Sequence, residues 1–363
     1  MTEITNALAQ LLSRGSGRGA EPVRVAVVGL GYWGPNLVRN FHALPEAEVV
    51  WACDRHEGAL AALARRYPAV PRTTAFADVL ADPYVEAVAL ATPVSTHFPL
   101  ALAALTAGKH VLVEKPLAGS TKQARELLLV AAEHELVVMP GHTFLYSPPV
   151  TMIRDLIASG ELGDIYFIST SRVNLGIHQP DVSVVWDLGP HDFSILRYWL
   201  DELPVSVSAM TRGCVIPTTP DVAFIDLVFE SGTIAHVELA WLAPSKLRRT
   251  TIVGSERMVV YDDTSKEPVR IFDSGAEFPP PGTFGEHQLS YRTGDIISPK
   301  VDVTEPLSLQ LADFCKAVRD GIEPRSSAEI GLDVVQITES VDRSLENGGR
   351  LVRVQPRSRQ RVV

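Results

Sequence analysis

The sequence predicts an α/β chain in two parts: a doubly wound parallel sheet, then an open, mostly antiparallel α+β sheet domain flanked by helices. Three observations predict it. Short apolar strands alternate with helical stretches from Val23 to Pro140. A glycine-rich turn joins the first strand to the first helix. Past Gly141, strands of period two are separated by turn residues and followed by two late helices. Alternating helices and strands imply a parallel sheet, and runs of alternating strands an antiparallel one. Length agrees, since 363 residues at about 150 per domain gives two domains.

Residues 1–21 read as an extension outside the first domain. Ile4, Leu8, Leu11 and Leu12 share one face of a short helix, and Ser13 to Gly19 form a flexible linker. Glu3 and the lack of a long apolar stretch argue against a signal peptide. The first domain spans 22–141, the second 142–353, and 354–363 form a tail. In the first domain, Val23–Val28 and Ala47–Cys53 are strands flanking a helix from Pro35 to Leu44. Helices over Glu57–Tyr67, Thr96–Ala107 and Ser120–His134 alternate with strands Val85–Ala91, His110–Val113 and Leu136–Pro140. In the second, strands are expected over 164–173, 205–212, 222–230, 233–241, 247–253 and 258–261. The Gly- and Pro-rich stretch 273–306 reads as a long surface loop. Helices near Leu307–Asp320 and Ala328–Glu346 close the domain.

Composition narrows the function. With 33 basic and 43 acidic residues the net charge is −10, which disfavours a nucleic-acid reader. No stretch is long and apolar enough for a membrane span. Three scattered cysteines, Cys53, Cys214 and Cys315, form no metal or disulfide motif, so a cytoplasmic setting is expected. The histidines outside the motifs below show no HxH or HExxH spacing, so no metal is expected.

The strongest motif is Gly29-Leu-Gly31-Tyr32-Trp33-Gly34, a GxGxxG between a strand and a helix. Gly29 allows the tight turn, Gly31 lets backbone approach a pyrophosphate, and Gly34 lets helix and strand pack closely. The anion would sit on the helix N-terminus. Asp54 ends the second strand, about 20 residues on, where a carboxylate receives ribose hydroxyls. Asp54 favours NAD; Arg55 beside it can hold a 2′-phosphate, which leaves NADP open. Tyr32 and Trp33 are candidates to flank the cofactor.

Other strand ends carry Thr92-Pro93-Val-Ser-Thr-His97 and Glu114-Lys115-Pro116, and the second domain carries Trp186-Asp187-Leu-Gly-Pro-His191. Together with GLGYWG, these segments, ATPVSTH, VLVEKPLA and WDLGPHDFSIL, resemble the glucose–fructose oxidoreductase / inositol dehydrogenase (Gfo/Idh/MocA) family over residues 22–353. The resemblance implies a catalytic set of Lys115, Asp187 and His191, with either Lys115 or His191 as proton acceptor. It implies that Thr92, Pro93, His97, Glu114 and Lys115 line the cofactor, with a structural role also open for His97 and Glu114. Asp187 stands either on one helical turn with His191 or just ahead of a helix starting at Pro190; Asp192 reads as a first-turn capping residue.

The stretch Arg172-Val-Asn174-Leu-Gly-Ile-His178 through Trp186 resembles a nucleotide-sugar 3-dehydrogenase-like branch. Arg172, Asn174, His178 and Trp186, with the catalytic set, are then expected to hold the substrate. The expected activity is NAD(P)-dependent hydride transfer at a ring hydroxyl or ketone, C3 foremost, of a nucleotide sugar or related sugar. The alternatives are a free-sugar or inositol dehydrogenase of an aminocyclitol pathway and a non-catalytic NAD-binding sensor. The resemblance also implies a homo-oligomer, dimer or tetramer, formed through the outer face of the second sheet.

Overall fold

A computed structural model describes residues 21–176, 182–277 and 290–355. The helix expected near residues 4–12 and the tail beyond 355 lie outside the described residues.

The first sheet contains β1 (Val23–Val28), β2 (Ala47–Cys53), β3 (Arg72–Thr73), β4 (Ala87–Leu90), β5 (His110–Glu114) and β6 (Val138–Gly141), all parallel, in the order β3-β2-β1-β4-β5-β6. Its central strands are buried on both faces, hence their unbroken apolar runs. Helices α1 (Gly34–Ala43), α2 (Glu57–Ala64), α3 (Phe76–Ala81), α4 (Val94–Thr106) and α5 (Thr121–Glu133) connect them. The strand order reverses between β1 and β4, and a crevice at that switch point is where such sheets take ligands.

A short 3-10 turn (Thr143–Tyr146) and α6 (Pro148–Ala158), neither expected from sequence, lead into the second sheet. Its strands are β7 (Ile165–Val173), β8 (Pro204–Arg212), β9 (Val222–Phe229), β10 (Ile234–Ala240), β11 (Leu247–Gly254), β12 (Met258–Asp262), β13 (Val269–Glu277), β14 (Ser290–Ile297) and β15 (Val352–Arg353). Their order is β14-β13-β12-β11-β7-β10-β9-β8-β15. The pairings are antiparallel except β7 with β10, which run parallel. The expected loop at 273–306 is corrected in part: β13 continues to Glu277 and β14 pairs with it. Backbone pairing there replaces the missing apolar pattern, since β14 is largely exposed.

Helix α7 (Val184–Leu200) packs on the inner face of this sheet, with Phe193 and Trp199 in its core. Two C-terminal helices tie the halves together. In α8 (Pro306–Asp320), Leu307, Leu311 and Phe314 pack with the first sheet. In α9 (Ala328–Glu346), Val335 joins the first core while Val334, Ile337 and Val341 join the second. Asp333 of α9 also receives Arg197 Nε of α7 at 2.8 Å. Among the described residues, no helix is long and apolar enough to cross a membrane.

Phe314 meets Phe41 of α1 edge-on, with centroids 6.5 Å apart and both side chains fully buried. Phe314→Ala should lower stability by about 3–5 kcal/mol in denaturant unfolding. A loss under about 1 kcal/mol would contradict the docking of α8 against α1.

Candidate active site

The glycine turn has the steric features of a cradle. Gly29 has φ +89°, and a Cβ there would come within 2.5 Å of the Ala91 carbonyl oxygen. A Cβ on Gly34 would overlap the Gly29 carbonyl. A Cβ on Gly31 would meet nothing within 4 Å, so this position faces open space. Tyr32 and Trp33 stand exposed at the lip, edge-to-face at 5.6 Å.

Asp54 Oδ2 accepts the Leu30 N–H at 2.6 Å, and Oδ1 accepts the His56 N–H at 2.8 Å and its ring Nδ1–H at 3.1 Å. Burial alone would raise this carboxyl; the hydrogen bonds from Leu30 and His56 outweigh it and hold it below the ordinary value. A carboxylate has about four acceptor sites, so capacity remains for ribose. Arg55 is exposed beside it.

Thr92 and Pro93 follow β4 and are tied by Thr96, whose hydroxyl lies 2.8 Å from Thr92 Oγ1 and 2.7 Å from the Pro93 carbonyl. His97 takes the arrangement of a structural residue, one of its two expected roles. Its ring is 1% exposed, and its nitrogens lie 2.8 Å from the carbonyl oxygens of Pro116 and Thr92. The ring therefore braces the loops after β4 and β5 against each other rather than offering a nitrogen to the cleft.

Lys115 follows β5, beside a cis Lys115–Pro116 bond. Its Nζ donates to Asp187 Oδ1 at 2.9 Å and to the Asp187 carbonyl at 2.7 Å. Trp241 Nε1 donates to the other carboxylate oxygen, Oδ2, at 3.1 Å. Asp187 and His191 share α7, which begins at Val184 and runs through Pro190. The alternative helix start at Pro190 is thereby excluded: the ring is tolerated inside the helix, at the cost of one i→i−4 bond.

His191 packs edge-on to Phe144 at 5.1 Å, and its Nδ1 is buried without a partner among the described residues. Burial, then the nearby Lys115, Arg172 and Arg248 charges, hold its pKa well below the ordinary 6.5, so it is neutral at neutral pH. Beneath lie two further titratable groups. Glu114 is buried, its Oε2 3.3 Å from the Lys115 N–H, and burial pushes its carboxyl up to about 7. His142, at the end of β6, has both ring nitrogens buried without partners among the described residues. Burial, then Lys115, pull its pKa down to about 3.

The expected substrate residues divide. Arg172 is buried and directed at Asp192, with Nε to Oδ2 at 2.6 Å and Nη2 to Oδ1 at 3.2 Å. This also corrects Asp192, which is no helix cap but the counter-ion of Arg172. Trp186 Nε1 donates to Asp342 of α9 at 2.8 Å. Asn174 is half-buried just past β7, its N–H bonded to the Ala240 carbonyl at 3.1 Å. His178 lies outside the described residues. Sequence reasoning missed His142, Phe144, Trp241 and Arg248. His142 alone carried a legible signal, because it follows a parallel strand's C-terminal end. Among the described residues, no group of three or more His, Cys, Asp or Glu side chains could hold a metal ion.

A family profile described as "Oxidoreductase family, NAD-binding Rossmann fold" matches residues 23–142, and one for the GFO/IDH/MocA C-terminal domain matches 150–260. The chain is 27% identical to a 4-carboxy-2-hydroxymuconate-6-semialdehyde dehydrogenase of Sphingobium sp., over 90% of this chain and 100% of that protein. It is 28% identical to a UDP-N-acetylglucosamine 3-dehydrogenase of Acidithiobacillus ferrooxidans, over 66% of this chain and 74% of that one. The solved structure of GenD2 from gentamicin A biosynthesis, in complex with NAD, superposes with TM-score 0.79 at 26% identity, covering 94% of this chain and 98% of GenD2.

The glycine geometry separates a ligand's cradle from an ordinary turn. Gly31→Ala should leave the melting temperature of the free protein unchanged and weaken NADH binding by tenfold or more in fluorescence titration. Gly34→Ala should lower both. NADH binding undisturbed by Gly31→Ala would contradict a pyrophosphate at this position.

Proposed function

The chain belongs to the Gfo/Idh/MocA oxidoreductase family, with an NAD-binding Rossmann domain, and on that premise we propose that it acts on a sugar or polyol and propose the role of each site residue. The Gly29–Gly34 turn and Asp54 would hold NAD, and Tyr32, Trp33, Thr92 and Pro93 would border it. When bound, the nicotinamide accepts or returns the hydride. Lys115 presents its ammonium to the reacting oxygen and stabilises developing alkoxide. Asp187 fixes that ammonium through two of its oxygens, and Trp241 fixes Asp187. His191, kept neutral, takes the hydroxyl proton in oxidation and returns it in reduction. The observation that carries this reading is the Lys115–Asp187 pair at the strand ends of the first sheet, with a neutral imidazole one turn along the same helix.

The substrate we propose is a nucleotide sugar or related sugar, oxidised or reduced at a ring position, C3 foremost. Likeness to a UDP-N-acetylglucosamine 3-dehydrogenase supports it. A free-sugar or cyclitol substrate is the second reading, supported by likeness to a scyllo-inositol 2-dehydrogenase (NAD(+)) of Bacillus subtilis, 27% identical over 83% of this chain and 88% of that protein. A mere NAD sensor would have no use for Lys115, Asp187 and His191 together. We further propose that copies of the chain associate through the outer face of the second sheet, where Phe167, Met210, Phe224 and Ile234 are exposed. Free thiols at Cys53, Cys214 and Cys315 support a cytoplasmic setting.

The test is NADH formation from NAD and a panel of UDP- and dTDP-sugars, free hexoses and inositols. His191→Ala should cut turnover by about 10²–10⁴-fold and keep most NADH affinity. With the pKa of His191 lowered, its neutral form persists into acid, so the acid limb of kcat/KM should fall below pH 6.5. Turnover that survives both His191→Ala and Lys115→Ala would sink the assignment.

A further inference from the structure

Register places Arg172 of β7 directly opposite Arg248 of β11. Opposed residues of an antiparallel pair project from one face, and like charges so placed repel. That face is the inner one, because Arg172 is buried against Asp192 of α7. Arg172 has its counter-ion there, and Asp192 is further fixed by the Thr170 hydroxyl at 2.9 Å. Its Nη1 is still buried without a partner among the described residues. Arg248 is held more loosely. Its Nη1 meets Asp263 at 3.0 Å, and its side chain is one-third exposed.

Both guanidiniums lie against the same ring. Arg172 Cζ is 4.6 Å and Arg248 Cζ 5.6 Å from the Phe144 centroid. That ring is the one that meets His191 at 5.1 Å, so imidazole and Arg248 guanidinium are at most about 11 Å apart. One sugar can therefore place a reacting carbon at His191 and a charged substituent at Arg248. Asp187 is engaged by Lys115 and Trp241 and Asp192 by Arg172, while Asp263 meets Arg248 through Nη1, so an incoming anion would share this guanidinium with Asp263. A guanidinium packed against an aromatic ring offers a planar fork of donors that suits bidentate carboxylate or phosphate.

We propose that Arg248, backed by Arg172, is the receptor for an anionic group of the substrate, a carboxylate or a phosphate on the sugar, and so selects acidic over neutral sugars. This rests on the dehydrogenase reading only for placing the sugar beside His191.

Calorimetric titration of the NAD-loaded full chain tests it, with glucuronate, glucose 6-phosphate and UDP-N-acetylglucosamine as acids and glucose and myo-inositol as neutral probes. At least one acid should bind tenfold or more tighter than glucose; which one distinguishes carboxylate from monophosphate from diphosphate. Arg248→Gln should remove that preference and leave glucose and NAD binding unchanged. Arg248→Lys should restore part of it. Arg249→Gln, at the exposed next position on the opposite face, should change nothing. Acids that bind no better than glucose, or an Arg248→Gln loss shared equally by neutral sugars, would overturn the proposal. The assay reads binding, not hydride transfer. An Arg248-dependent acid preference without NADH formation would fail the dehydrogenase reading alone; NADH from inositol regardless of Arg248 would fail this one alone.

Discussion

The ion pair between Lys115 and Asp187 is the constraint on which the site depends. Lys115 extends from the last-but-one strand of the first sheet, and Asp187 from the helix lining the second. Side-chain exposures of 13% and 21% mean that both charges have lost much of their water. Removing one partner of such a pair strands the other, at a cost of about 3–5 kcal/mol when burial is complete and less here. The pair therefore works as a positional lock more than as a source of stability. α9, with side chains in both cores, helps set its two origins at a fixed separation.

Around that lock the local field opposes the net charge. A chain of −10 gathers Lys115, Arg172 and Arg248 about one imidazole. Burial and these cations all disfavour a proton on His191, which leaves the ring as an acceptor. The carboxyl beneath behaves in the opposite sense: burial pushes Glu114 up to about 7, against the pull of Lys115. Its folded pKa lies above the unfolded 4.5, so the stabilising protonated form is lost as pH rises through that window. The site thus combines a base freed of its proton with an acid that retains one near neutrality.

Local chemistry was legible in the sequence and long-range pairing was not. The glycine turn, Asp54, Lys115, Asp187 and His191 each sit in a short motif whose geometry follows from neighbouring residues. Arg248 belongs to no motif, and its meaning comes from lying opposite Arg172, a fact of strand register that period two alone leaves undetermined. Phe144 and Trp241 belong to no motif, and only the fold brings them to His191 and Asp187. For His97 the motif left a cofactor contact and a structural role equally open, and only the fold shows its ring set between the carbonyls of Thr92 and Pro116, which lie in two different loops. The pairing of β13 with β14 was hidden by composition, since an exposed strand needs no apolar alternation.

The central claim is that a neutral His191 stands ready to accept the proton beside a locked Lys115. Nitrogen NMR of the imidazole-labelled, NAD-loaded protein, assigned with His191→Gln, measures this directly. The account predicts that His191 remains neutral on acidification past pH 6.5 and takes up a proton only well below it. A His191 ring that titrates at or above 6.5 would contradict it.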